Sequence, residues 1–242
     1  WKALSGGWYM YQHALATQAL GEGYGTSGDP FLKKAAQNAV DFLIFDQNPT
    51  IGGWRYEARM DCDTSVTGWV VLALCSAHDA RLRVAGFEGA RRFIDSVTQT
   101  SSWRVGYQSP LDAATLEPRL TAVGLLIRQA LGCRANHPAL GLEAEFCLQQ
   151  LPRPEYIDLY FAYYATLGLF QVGGESWKRW NDAMVPALLE RSHAPDEGCR
   201  RGSFDSQGVH ADMGGRMYAT CISCLMLEVY YRYDKFPEVR SI

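Results

Sequence analysis

Acids and arginines collect at the starts of the most apolar segments of this chain, and they are the residues whose types and placement could do chemistry. Asp61 and Asp63 precede the run Ser65–Ala77, and Glu117 precedes Leu120–Leu131. Asp158 precedes Tyr160–Val172, and Asp205 and Asp212 precede Tyr218–Tyr231. Arg59, Arg104, Arg119, Arg200, Arg201 and Arg216 lie near the same ends. An Asp in front of a helix caps open N–H groups and complements the helix dipole. Capping accounts for single cases, but less well for the crowding of Arg and Asp between 199 and 216. If the helix starts converge on one mouth, Asp61 and Asp63 become candidate catalytic carboxyls. Asp158, Arg201, Asp205, His210, Asp212, Arg216 and Tyr218 become a binding rim. Trp8, Tyr11, Trp69, Tyr163 and Tyr164 would form the lumen beneath it. Apolar walls with a few convergent polar groups suit a ligand. A carboxylate pair or an Asp/Arg-rich cleft would also suit glycosidic-bond cleavage.

A metal is not expected. Cys199, Asp205, His210 and Asp212 supply donor atoms, but their spacing fits no closed zinc site. No cofactor is expected either. His13 lies within an apolar run and reads as a satisfied core residue. The seven cysteines are Cys62, Cys75, Cys133, Cys147, Cys199, Cys221 and Cys224. The number is odd and no pair has a framework spacing. Cys75, Cys147, Cys221 and Cys224 sit in apolar helical runs, so reduced core thiols are expected, which points to a cytoplasmic compartment.

These residues need elements to position them. The 242 residues are 48% hydrophobic and 12% aromatic, enough for one sizeable core, and the chain reads as a single domain over 1–242. A net charge of −3 gives no electrostatic case for nucleic acid. No apolar run approaches the ~18–20 residues of a membrane span. The chain opens on Trp1 rather than Met, so it is expected to be part of a longer protein.

Apolar runs carrying small residues and Thr recur at Gln12–Leu20, Ser65–Ala77, Leu120–Leu131, Tyr160–Val172 and Tyr218–Tyr231. Ala14, Gly68, Ala122, Ala165 and Thr220 mark corresponding points roughly 43 to 55 residues apart, the signature of stacked supersecondary units. Between them lie segments with one charged face. Asp29-Pro30 opens the first, which continues to about Gln47, with Asp as N-cap and Pro at the first helical position. The others are Glu88–Gln99, a segment opened by His137-Pro138, and Ser176–Arg191 with a kink expected at Pro186. Five enclosed inner helices and about four one-sided outer helices result. No sustained period-2 alternation signals a strand.

Residues 39–54 read A-V-D-F-L-I-F-D-Q-N-P-T-I-G-G-W. Gln47 would hydrogen-bond the open carbonyls of the last helical turn, and the glycines would let Trp54 fold back over it. The order of small residue, aromatic-Leu, Gln, short loop and Gly-x-Trp resembles the QW motif of squalene and oxidosqualene cyclases. Ala90, Phe93, Ile94 and Trp103 form a degraded copy. The resemblance implies an all-α fold, an α/α toroid of alternating inner and outer helices with about five helix pairs, the inner ones parallel. A six-pair ring at ~50 residues per pair would need ~300 residues, so this chain is about one pair short.

Asp61-Cys62-Asp63-Thr64-Ser65 resembles the Asp-rich run, ending Asp-Asp-Thr-Ala, that supplies the protonating acid of squalene-hopene cyclases. A carboxyl kept protonated by its neighbours suits that task. Aligned on Thr64, the protonating position falls on Cys62 and Asp63 on its neighbour. The same segment and Tyr218-Ala219-Thr220-Cys221 resemble the zinc-binding segments of prenyltransferase β-subunits. There Asp63 replaces the Cys and Ala219 the His, so no stoichiometric zinc is expected. The segment Gly198-Cys199-Arg200 is not the Gly-Cys-Gly-Glu-Gln run of complement-type thioester domains, and no lanthionine-cyclase zinc signature is present.

Three functions follow as expectations. The first is isoprenoid binding or cyclisation, with a squalene- or terpene-cyclase-like isomerase as the enzyme. The second is a non-catalytic toroid that binds a peptide, a partner or another domain of the same protein. The third is a carbohydrate lyase or hydrolase acting at the acidic mouth.

Overall fold

The computed structural model describes residues 9–114, 118–133, 135–194, 198–208, 210–232 and 236. Among these the protein is all-helical, with no strand beyond three isolated bridges. The chain divides into two compact units, one ending before residue 117 and one starting there.

Unit 1 holds α1 (Tyr9–Ser27), α2 (Pro30–Asp46), α3 (Thr64–Asp79) and α4 (Phe87–Ser96). Asp29 caps α2 by accepting from the Phe31 N–H at 2.8 Å, with Pro30 at the first helical position. The Tyr11 hydroxyl, near the start of α1, donates to Ser65 Oγ at the start of α3 at 2.9 Å. Ser76 Oγ, near the end of α3, donates to Glu22 of α1 at 3.3 Å. The two helices are therefore parallel. The Tyr9 hydroxyl donates to Asp46 Oδ2 at 2.9 Å, joining the start of α1 to the end of α2, so α2 runs antiparallel to them. α3 is buried from Thr64 to Cys75, as an apolar-all-round helix must be. α2 and α4 bury one face each and expose Lys33, Lys34 and Asp41, and Arg92 and Asp95.

Unit 2 holds α5 (Arg119–Ala130), α6 (Pro138–Leu148), α7 (Leu159–Val172), α8 (Gly174–Arg191), α9 (Ala211–Leu227) and the short α10 (Val229–Arg232). Arg119 Nε donates to Asp158 Oδ2 at 2.5 Å at the starts of α5 and α7. Gln129 Nε2 donates to the Gly168 carbonyl at 3.0 Å at their ends. These two are parallel as well. The His210 ring lies 5.5 Å from that of Tyr160, which brings the start of α9 beside the start of α7. α8 continues through Pro186. α9 breaks at Gly215, whose φ of 58° and ψ of −156° are not helical.

Two sequence expectations need correction here. Gln47 ends α2 as its C-cap residue, but its side chain does not reach the open carbonyls of that helix. Its Nε2 donates to the Gly52 carbonyl at 2.6 Å and to the Gly86 carbonyl, in front of α4, at 2.8 Å. Trp54 takes the capping role instead: it is 1% exposed, and its Nε1–H donates to the Leu43 carbonyl of the last turn of α2 at 2.7 Å. The second correction concerns the thiols. Cys62, Cys75 and Cys147 are buried, but Cys221 and Cys224 are exposed. α9 is the last long helix of its unit, and it packs one flank on α7 while Met217, Cys221 and Cys224 face outward.

Candidate functional site

Both candidate catalytic carboxyls lie in unit 1, at the shared starts of α1 and α3. Asp63 is the N-cap of α3: its Oδ1 accepts from the Val66 N–H at 2.8 Å. Its Oδ2 accepts from the Tyr107 hydroxyl at 3.0 Å and lies 3.2 Å from Arg55 Nε. Asp61 pairs with the same guanidinium and remains half-exposed. The Tyr107 hydroxyl is also 3.1 Å from that of Tyr56, and the Arg55 guanidinium sits over both rings, 5.1 Å from Tyr56 and 5.6 Å from Tyr107. Thr64 ties the loop carrying Tyr107 to α3, its N–H donating to the Tyr107 carbonyl at 3.0 Å and its hydroxyl to the Gly106 carbonyl at 2.6 Å. Capping and network therefore coincide on one carboxylate.

Burial pushes the Asp63 carboxyl up to about 6, against the lowering effect of the Val66 N–H, Tyr107 and Arg55. A group near 6 can hold or release a proton close to neutrality. Cys62 cannot: burial, reinforced by Asp61 and Asp63, raises its thiol to about 11. The folded state holds the Asp63 proton more tightly than the unfolded chain, whose value is near 3.8. Its contribution favours folding most below that value and is lost as the pH rises to about 6. Asp63→Asn should flatten the pH dependence of urea unfolding between about pH 4 and 6, removing up to about 3 kcal/mol of variation. An unchanged slope would show that another group carries it. The Asn keeps the cap through its Oδ1 but sets an amide N–H₂ against Arg55, so unchanged stability is not expected.

Unit 2 gathers Asp158, His210 and Tyr218. Asp158 caps α7 through the Phe161 N–H at 3.1 Å and holds Arg119. Packing lowers the His210 pKa, with Asp158 acting in the opposite sense and Arg119 in the same sense. Burial and then Asp158 raise the Tyr218 phenol above its ordinary range, and its buried hydroxyl has no hydrogen-bond partner among the described residues. Asp205 and Arg216 form a separate surface cluster: Arg216 donates to Asp205 Oδ1 from Nε at 3.1 Å and from Nη2 at 2.7 Å, and His193 lies 3.1 Å from Asp205 Oδ2. His193 first, and then Arg216, hold that carboxylate below its ordinary range. Arg201 is exposed and joins neither group. The Asp212 side chain, Glu117 and Trp8 lie outside the described residues. No group of three or more His, Cys, Asp or Glu among the described residues is placed to hold a metal ion.

Trp69, Tyr163 and Tyr164 are buried and Tyr11 is half-buried. The first three belong to the core, and the Tyr11 hydroxyl is held by Ser65. His13 is a satisfied core residue, with Nε2 3.0 Å from the Ala39 carbonyl.

A cavity of about 600 Å³ opens in unit 2 between the end of α6, the segment 149–158, the start of α7 and Arg179 of α8. Sequence reasoning missed it, because it is walled by a loop without periodicity. It also missed Arg55, Tyr56 and Tyr107, which no spacing connects to Asp63. Compared with protein families, with curated proteins and with solved structures, the chain finds no match in any of the three. No helix among the described residues is long and apolar enough to cross a membrane.

Proposed function

We propose that the chain is a non-catalytic helical-repeat module, an α/α toroid that binds a ligand or another domain of the same protein. The carrying observation is the state of Asp63. It is 0% exposed, with one oxygen on the α3 N-terminus and the other held by Tyr107 and Arg55. An acid that protonates an alkene must face its substrate and lack a cation that holds its conjugate base. Asp63 meets neither condition, and Cys62 is too weak an acid. The burial of Trp69, Tyr163 and Tyr164 supports the same reading, since a carbocation needs aromatic faces it can reach.

One observation favours a second reading, an isoprenoid cyclase with Asp63 as its acid: the carboxyl is raised to about 6, so part of it stays protonated near neutrality. Incubating the protein with squalene and with a polyprenyl diphosphate separates the two. No cyclised product is expected. A product that vanishes in Asp63→Asn would replace the binding module by the cyclase.

A further inference from the structure

We infer that the cavity of unit 2 binds a hydroxyl-rich anion, a sugar ring bearing a carboxylate or a phosphate. This rests on reading the chain as a binding module and gives that module its ligand class. The cavity's roughly 600 Å³ falls inside the ~300–1,000 Å³ of small-molecule sites.

The decisive feature is which polar groups remain unengaged. Three buried or half-buried arginines of the unit are committed: Arg119 to Asp158, Arg128 to Glu143, and Arg191 to the Pro154 carbonyl and Gln207 Oε1. Arg153 and Arg179, on the cavity wall, engage no other described side chain, and neither do Gln149 and Gln150 beside them. Asp158 also reaches the wall, but Arg119 neutralises it. The wall therefore carries net positive charge. A guanidinium fork matches a carboxylate or phosphate edge. The two amides offer both donors and acceptors, which is what a hydroxyl needs. Tyr156 adds an exposed ring to the same wall.

The wall is also built before a ligand arrives. Arg191 Nη1 pins the Pro154 carbonyl at 3.0 Å, Tyr156 N–H donates to the Arg153 carbonyl at 3.1 Å, and Asp158 anchors the segment to α7. Preorganisation of this kind reduces the ordering lost on binding.

Calorimetric titration of the full chain with glucuronate, glucose 6-phosphate, glucose and inorganic phosphate tests the assignment. At least one sugar anion should bind about tenfold more tightly than glucose or inorganic phosphate, and Arg153→Gln and Arg179→Gln should each weaken it about tenfold. Glucuronate alone would identify a carboxylate head, glucose 6-phosphate alone a phosphate head. Both arginines are exposed, so circular dichroism of the variants should match that of the parent. Glucose binding as well as the anions, inorganic phosphate binding as well as glucose 6-phosphate, no binding of either sugar anion, or full affinity in both variants would overturn the assignment. Loss of the sugar site without squalene turnover leaves the binding-module reading standing; squalene turnover with an intact sugar site removes that reading alone.

Discussion

Arg128→Met should lower the folding stability by about 3–5 kcal/mol, the usual loss when one partner of a buried ion pair is removed. Arg128 on α5 is 7% exposed, and its Nε donates at 3.0 Å to Oε1 of Glu143 on α6, whose side chain is fully buried. Removing the guanidinium leaves a carboxylate in an apolar setting. The same setting raises the neighbouring Cys147 thiol above its ordinary range, first by burial and then by the Glu143 charge. The pair need not be a net source of stability, since desolvating two charges offsets their attraction. Arg128→Met with Glu143→Leu should therefore recover most of the loss, to within about 1 kcal/mol of the parent. Urea unfolding of both variants decides it. A single variant within about 1 kcal/mol of the parent would show that the pair does not hold α5 to α6.

How much of this was legible depended on how local the cause was. Asp29-Pro30 and His137-Pro138 open α2 and α6, because cap and fixed φ act within one turn. The apolar runs became α3, α5 and α7, because a helix enclosed on all sides cannot show a polar face. Asp63 and Asp158 were legible as caps for the same local reason. Their second partners were not. Tyr107 reaches Asp63 from 44 residues away. The loops that deliver the partners of Asp63 contain left-handed non-glycine residues, Arg59 at φ 61° and Trp103 at φ 58°. Such conformations persist only where tertiary contacts impose them. Exposure at Cys221 and Cys224 was hidden for a related reason: composition reports that a helix is apolar, and says nothing about whether a neighbour covers each flank. The rim residues divided for want of any signal linking them. Asp158, His210 and Tyr218 share an electrostatic neighbourhood, Asp205 and Arg216 form another, and Arg201 belongs to neither.

Gly52→Ala should cost at least about 3 kcal/mol, because backbone strain and a steric clash act together. Gly52 has φ +94°, and a Cβ there would stand 2.3 Å from the Gly89 carbonyl oxygen, a backbone atom of α4 that cannot swing aside. The Gly52 carbonyl takes the Gln47 amide, and Gln47 also holds the Gly86 carbonyl. The glycines and the Gln thus fasten the end of α2 to the start of α4, two helices that each keep one face exposed. Trp54 completes the joint, filling the space beneath and capping Leu43, while its backbone N–H donates to Thr67 Oγ1 of α3 at 3.1 Å. Trp54→Ala should cost a similar ~3–5 kcal/mol by leaving a cavity, whereas Trp54→Phe should cost less, chiefly the indole hydrogen bond at about 1 kcal/mol. Gln47→Ala should cost about 1–3 kcal/mol through the two carbonyls it leaves unpaired. Costs of this size would fit the contacts of this segment, which join α2, α3 and α4, a task independent of any substrate. Thermal unfolding of the four variants checks the order, and a neutral Gly52→Ala would mean that the joint is not made.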